Sequence, residues 1–202
     1  MIVDHLCWLV RSAAATGARL REQHGLGTER GSFFADHGTQ HHNVPLTPPQ
    51  YLELAEITGE PDRWTAHCRD TGIPLLGWAV LVDDLEAHAE RLGLEVHDWT
   101  LPQPDGTLRG WRCAEGPQHL PYFIDYPNNG DRLGRWQAMK DRVGHDRDPG
   151  AITRVQLEQD AAELDAWLGP HDLPLDVRPG SRGAVALDVE GVGTIDLATG
   201  PG

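Results

Sequence analysis

Residues 2–10 read Ile2-Val3-Asp4-His5-Leu6-Cys7-Trp8-Leu9-Val10. Branched and aromatic apolar residues dominate this run, so it reads as a buried β-strand. Alternation sets Val3, His5, Cys7 and Leu9 on one face and Ile2, Asp4, Leu6, Trp8 and Val10 on the other. An imidazole inside such a strand needs a polar partner, because burying it unpaired is costly. Further along, Tyr51-Leu52-Glu53-Leu54 is a second strand-like run with one carboxylate inside it. Together the two runs predict that His5 and Glu53 face each other across one concave sheet surface.

The segments around this pair repeat an order. Ser12 caps a helix that ends near His24-Gly25, and strands follow near 29–36, 41–46 and 51–57. That is β-α-β-β-β. A polar connection, with a short helix around 63–69, leads to a strand at 75–82. Asp83 caps a helix carrying Leu85, Ala89 and Leu92 that stops at Gly93. Strands near 94–101, 107–114 and 119–126 complete a second copy, with Asp105-Gly106 as a hairpin turn. A polar stretch at 128–150, with a helix from Arg135 to Val143, precedes a shorter third copy: strand 152–157, a helix 161–168 capped by Asp160, and three strands. The expected fold is α+β. Residues 1–127 hold paired βαβββ modules (1–58 and 72–127), and 128–202 hold the connector plus a truncated third module on the same unit. Laying Trp8–Ser12 on Val80–Asp84 puts Gly77 opposite His5, and laying Tyr51–Leu54 on Tyr122–Asp125 puts Ile124 opposite Glu53.

Composition narrows the function classes. The 202 residues carry a formal charge of −14, from 31 acidic and 17 basic residues. No basic patch interrupts this, which argues against nucleic acid, whose phosphates require clustered Lys and Arg. Cys7, Cys68 and Cys113 form no C-x-x-C pair and read as reduced, buried thiols. No apolar run is long enough to span a membrane, and the N-terminus lacks the pattern of a secretory signal, so a cytoplasmic location is the default expectation.

Within the first copy, Glu53 is the candidate general base. The pairing register of the hairpin before it decides its neighbours. Pairing Leu46 with Tyr51 puts His42 on the face of Glu53; a slip of one residue puts His41 and Asn43 there instead. Asn43, Tyr51 and Tyr122 are candidate substrate contacts, and Trp78 and Trp111 are further aromatic candidates for the wall of a cup. The plainer alternative is that these aromatics are core and that His5 is a core histidine bonded to Glu53.

Four motifs in order, Asp4-His5-Leu6, Gly38-Thr39-x-x-x-Asn43, Tyr51-Leu52-Glu53-Leu54 and Leu120-Pro121-Tyr122-Phe123-Ile124-Asp125, resemble the glyoxalase-like domain proteins of the vicinal oxygen chelate superfamily. The resemblance implies paired βαβββ modules curled into a cup, with metal ligands on the first and fourth strands of a module. Carried over, those positions are His5 and Glu53, with His42 as the expected third ligand and His37 or His41 as alternatives. The implied cofactor is one divalent metal (Zn, Fe, Mn or Ni), or none. The implied function is a metal-dependent lyase, isomerase or dioxygenase acting on a small oxygenated organic molecule. The alternative is a non-catalytic protein of the same fold that binds or sequesters a small molecule. A small-molecule ligand is the expected partner, with neither nucleic acid nor membrane. Because the family often pairs modules between chains, a homodimer is compatible with this reading.

Overall fold

The computed structural model describes residues 1–102, 108–126 and 132–197. The Asp105-Gly106 turn expected from the sequence lies outside the described residues. The first unit is β1 (Ile2–Val10), α1 (Ala13–His24), β2 (Glu29–Phe34), β3 (Thr39–Pro45) and β4 (Tyr51–Ile57). After α2 (Arg63–Thr71), the second is β5 (Leu75–Leu81), α3 (Leu85–Leu92), β6 (Val96–Pro102), β7 (Leu108–Ala114) and β8 (Tyr122–Asp125). Helix α4 (Arg132–Val143) leads to β9 (Ile152–Glu158), α5 (Ala161–Leu168), β10 (Leu175–Arg178), β11 (Gly183–Val189) and β12 (Gly193–Asp196).

Local chemistry sets the helix limits. Ser12 accepts a hydrogen bond from the Ala15 amide, and Gly25 closes α1 at a φ of 72°. Helix α3 is capped by Asp84, whose side chain accepts from Ala87, rather than by Asp83 as the sequence suggested. The two aspartates are adjacent, and only the second has its carboxylate within reach of the first-turn amides.

The first two units share one eight-stranded sheet in the order β2-β3-β4-β1-β5-β8-β7-β6. In each unit the first strand lies parallel to the fourth, β1 to β4 and β5 to β8. The units join where β1 meets β5 antiparallel. The ladders refine the repeat. Laying Trp8 on Val80 sends Cys7 onto Ala79; Cys7 pairs with Glu53, and Ala79 pairs with Tyr122. Tyr122, not Ile124, therefore occupies the place of Glu53 in the second unit. Gly77 keeps the place of His5.

One irregularity in β1 positions the site. Val3 pairs with Val80 but His5 pairs with Ala79, so Asp4 is an extra residue in a β-bulge. Simple alternation put Asp4 opposite His5. The bulge turns both toward the concave side and returns Val3 to the core beside Leu6 and Trp8. Leu52, Leu54, Val80 and Phe123 share that core, as does Trp78, which faces it and not the cup. Helix α1 packs on β3 and β4, and α3 packs on β6, β7 and β8.

The last unit forms a separate sheet in the order β10-β9-β11-β12. It repeats the element order but pairs its strands differently. Its first strand, β9, runs parallel to β10, the strand directly after the helix. This sheet and α5 share the core, through Leu157 and Leu187 of the strands and Leu164 and Leu168 of the helix. Trp167 donates to the Pro121 carbonyl at 2.8 Å, and Gly183 lies against Leu75, where a side chain would collide.

Gln50 links the two sheets. Its Nε2 donates to the Val3 carbonyl and its Oε1 accepts from the Ile152 amide, both at 2.9 Å and both buried. Replacing Gln50 with Leu strands one buried donor and one buried acceptor, at about 1–3 kcal/mol each. Urea denaturation of Gln50→Leu is expected to show a loss of about 2–5 kcal/mol in unfolding free energy.

Candidate active site

The cup is built outward from a buried carboxylate. Asp4 is inaccessible to solvent. Arg132 of α4 donates to its Oδ1 at 2.5 Å, and Oδ2 accepts from the Tyr126 hydroxyl at 3.0 Å and from His5 Nδ1 at 2.8 Å. Burial alone would raise the pKa of Asp4, but the hydrogen bond and charge of His5 and the charge of Arg132 outweigh it and hold the carboxyl below its ordinary value. Nδ1 of His5 faces the Asp4 carboxylate and its Nε2 lies 2.6 Å from the Tyr122 hydroxyl, so the ring bridges the two.

His5 is also clamped through its ring. It stacks on Tyr51 at 4.5 Å, and Tyr51 stacks on Trp136 of α4 at 4.3 Å. The Arg109 guanidinium lies 5.4 Å from the Trp136 ring and 5.8 Å from that of Trp111. The column His5–Tyr51–Trp136–Arg109 thus joins both halves of the cup to α4.

The partner of Glu53 is His41. The β3–β4 ladder pairs Pro45 with Tyr51, Asn43 with Glu53 and His41 with Ala55. This is the slipped register of the two the sequence allowed, and it moves His42 to the opposite face, across from Leu54. His41 Nδ1 lies 3.0 Å from Glu53 Oε2, and His41 Nε2 lies 2.9 Å from Thr39 Oγ1. Burial pushes the pKa of Glu53 up, but His41 first, then His5 and Arg109, bring it down to about 2. A carboxylate held so low is a weak proton acceptor at neutral pH and a strong site for positive charge. Cys7 is the third member. Burial, and then the charge of Glu53, push its thiol well above the ordinary range. One donor atom from each of Cys7, His41 and Glu53 lies within 4.8 Å of the others.

The remaining sequence candidates separate in space. Tyr51 and Tyr122 line the cup. Asn43 shares the face of Glu53, but its amide lies against Gly31 of β2. His37 sits at the rim, its Nδ1 2.5 Å from Asp62 Oδ2. Sequence reasoning missed Arg109, Arg132 and Trp136. The last two are four residues apart in the stretch read as a polar connector, and they are the buried residues of α4. That spacing places them on one helix face and was the available signal. The cup encloses about 190 Å³, walled by Phe34, Trp64, Trp99, Trp111 and Tyr122.

A family model described as a glyoxalase-like domain matches residues 3–170. The solved methylmalonyl-CoA epimerase of Mycobacterium tuberculosis is 12% identical, with a TM-score of 0.45, over 60% of this chain and 84% of that one. A Streptomyces coelicolor methylmalonyl-CoA epimerase variant in complex with 2-nitronate-propionyl-CoA is 18% identical, with a TM-score of 0.45, over 63% and 95% of the two chains. A hypothetical protein from Bacillus halodurans is 13% identical, with a TM-score of 0.43, over 60% and 90%. No curated protein matches the chain. No helix among the described residues is long and apolar enough to cross a membrane.

Two stability measurements follow from this geometry. Asp4→Asn leaves the Arg132 cation buried without its counter-charge, and a loss of about 3–5 kcal/mol is expected on denaturant unfolding. Glu53 has its folded pKa, about 2, below the ordinary 4.5. Its contribution is therefore complete above about pH 4.5 and is lost as the pH falls toward about 2. Stability of the metal-free protein, followed by urea denaturation at stepped pH, should fall across that window, and Glu53→Gln should make the fall shallower.

Proposed function

Because the chain belongs to the glyoxalase-like domain family of the vicinal oxygen chelate superfamily, we propose that it is a metal-dependent enzyme acting on a small oxygenated organic molecule. The observation that carries this reading is the convergence of Cys7, His41 and Glu53 on the cup floor. His41 Nδ1 and Glu53 Oε2 lie 3.0 Å apart, in a hydrogen bond that a shared ion would replace. Thr39, on the far nitrogen of His41, stands where an outer acceptor orients a ligating imidazole. One thiolate, one imidazole and one carboxylate suit Zn²⁺ or Fe²⁺. The residues therefore fit the metal that the family implies.

When bound there, a divalent ion supplies Lewis-acid polarisation of a substrate oxygen. The chain's own groups supply the rest. Glu53 stays ionised and holds positive charge at the floor. Tyr122, its pKa raised by burial and then by Glu53, remains a phenol and presents a hydroxyl oriented by His5. The indoles of Trp64, Trp99 and Trp111 displace water from a bound molecule. Lyase, isomerase and dioxygenase chemistry all draw on these parts, and the fold by itself does not choose between them. A second reading, a binding protein without chemistry, is favoured by Gly77 and Tyr122, which stand where the second unit would supply its own counterparts of His5 and Glu53.

Titration of untagged, metal-free protein with Co²⁺ tests the proposal. We expect about one equivalent to bind with a thiolate-to-cobalt absorption band. Cys7→Ser should remove the band, and His41→Ala or Glu53→Gln should weaken binding at least tenfold. His5→Gln, whose ring is committed to Asp4 and Tyr122, should still bind cobalt. Absence of specific cobalt binding, or binding that survives loss of both His41 and Glu53, would sink the metal reading.

A further inference from the structure

Among the described residues, Arg109 is the only Arg or Lys that lines the cup. Its neighbours in the fold show what an arginine does here when a carboxylate is at hand. Arg112, on the same strand, bonds to both Asp125 and Glu86. Arg132 bonds to Asp4. Arg109 has no carboxylate at ion-pair distance among the described residues. Its guanidinium lies instead against two indoles, Trp111 and Trp136, with the Tyr51 phenol as an electrostatic neighbour. Indole faces and a phenol fix the plane of the fork without supplying the full negative charge that a desolvated guanidinium favours.

We propose that Arg109 is the anchor for the carboxylate of a flat monocarboxylic acid that occupies the cup, with an aromatic or otherwise unsaturated body lying against the tryptophans. This builds on the reading of the cup as the ligand site, and names the class of molecule it takes. The planar fork of Arg109 matches a carboxylate through two parallel hydrogen bonds. Trp99 and Trp111, 6.4 Å apart between centroids and within 10° of parallel, offer a flat wall beside it. Charge around the mouth limits the ligand to a single negative group. Asp62 and Glu115 are the other acids of the lining, both more exposed than Glu53. Asp62 is already satisfied by the Thr65 amide and His37, and Glu115 accepts from the Cys113 thiol at 3.2 Å. With one guanidinium inside and two carboxylates outside, phosphorylated or otherwise polyanionic ligands meet repulsion that one cation does not offset. The floor adds to the preference. A divalent ion on Cys7, His41 and Glu53 would bring two positive charges against one thiolate and one carboxylate, leaving that site neutral and Arg109 as the unmatched charge.

Calorimetric titration of the chelator-treated protein with four probes of similar shape provides the test: benzoate, benzamide, benzylamine and phenyl phosphate. Benzoate is expected to bind at least tenfold more tightly than each of the others. Arg109→Gln should bring benzoate down to the level of benzamide, and Arg109→Lys, which keeps the charge but not the fork, should lose at least threefold. Equal affinity for benzoate and benzamide, tighter binding of benzylamine or phenyl phosphate, or a benzoate preference that persists in Arg109→Gln would overturn the proposal. If both variants fail to fold, as judged by circular dichroism, the ranking of the four probes on the wild-type chain decides alone. The chelator keeps this result separate from the cobalt titration. A benzoate preference without cobalt binding retains the anchor and rejects the metal, and cobalt binding without the preference does the reverse.

Discussion

The buried charge of Asp4 is the constraint on which the rest of this structure depends. A carboxylate removed from water must be matched by hydrogen bonds and opposite charge, and here three elements supply them. Arg132 comes from α4, Tyr126 from the end of β8, and His5 from the same strand. The bulge in β1 makes this possible by turning two consecutive residues to one side. Once Arg132 is drawn to Asp4, α4 lies across the cup side of the sheet and brings Trp136 onto Tyr51. The orientation of His5, the stack beneath Arg109 and the hydroxyl of Tyr122 all follow from that one ion pair.

The two units of the large sheet have divided their labour. The first supplies Cys7, His41 and Glu53, the donors gathered on the floor. The second places Tyr122 where the first has Glu53, and contributes Arg109, Trp99 and Trp111, the charged and aromatic half of the wall. On the proposed reading, one half carries the groups for a cation and the other those for an organic anion, so the cup would present two different chemistries across the seam between β1 and β5. The second sheet and α5 close the core from the other side and leave the cup open, since their contacts fall on Leu75, Phe123 and the Pro121 carbonyl.

The register of β3 that the sequence left open and the missed contribution of α4 have the same physical origin. A strand with polar residues on both faces does not announce which set is buried: His41 and Asn43 compete with Gln40 and His42, and the hydrophobic pattern that normally fixes register is weak there. The choice was made by Val44 and Leu46, which are fully buried, and by the turn that carries Gln50 into the second sheet. Helix α4 read as a polar connector because its two buried residues are an arginine and a tryptophan in a charged context. A buried arginine cannot be told from an exposed one until its carboxylate partner is known, and Asp4 lies far away in sequence.

What the sequence by itself determined was the architecture and its center. Capping residues, glycine stops and alternating apolar runs set out the element order, the duplication and the family, and they placed Glu53 in a buried strand beside a histidine. These are local signals, each carried by residues within one or two turns or a single strand. Which histidine that was, what His5 does instead, that Cys7 gathers with His41 and Glu53, that Arg109 lines the cup and that Trp136 braces it came from the tertiary structure alone. Those assignments depend on a one-residue bulge, a one-residue register choice and an ion pair between distant segments. Each is settled by the balance of burial and charge over the whole fold, and none leaves a pattern in its own stretch of chain.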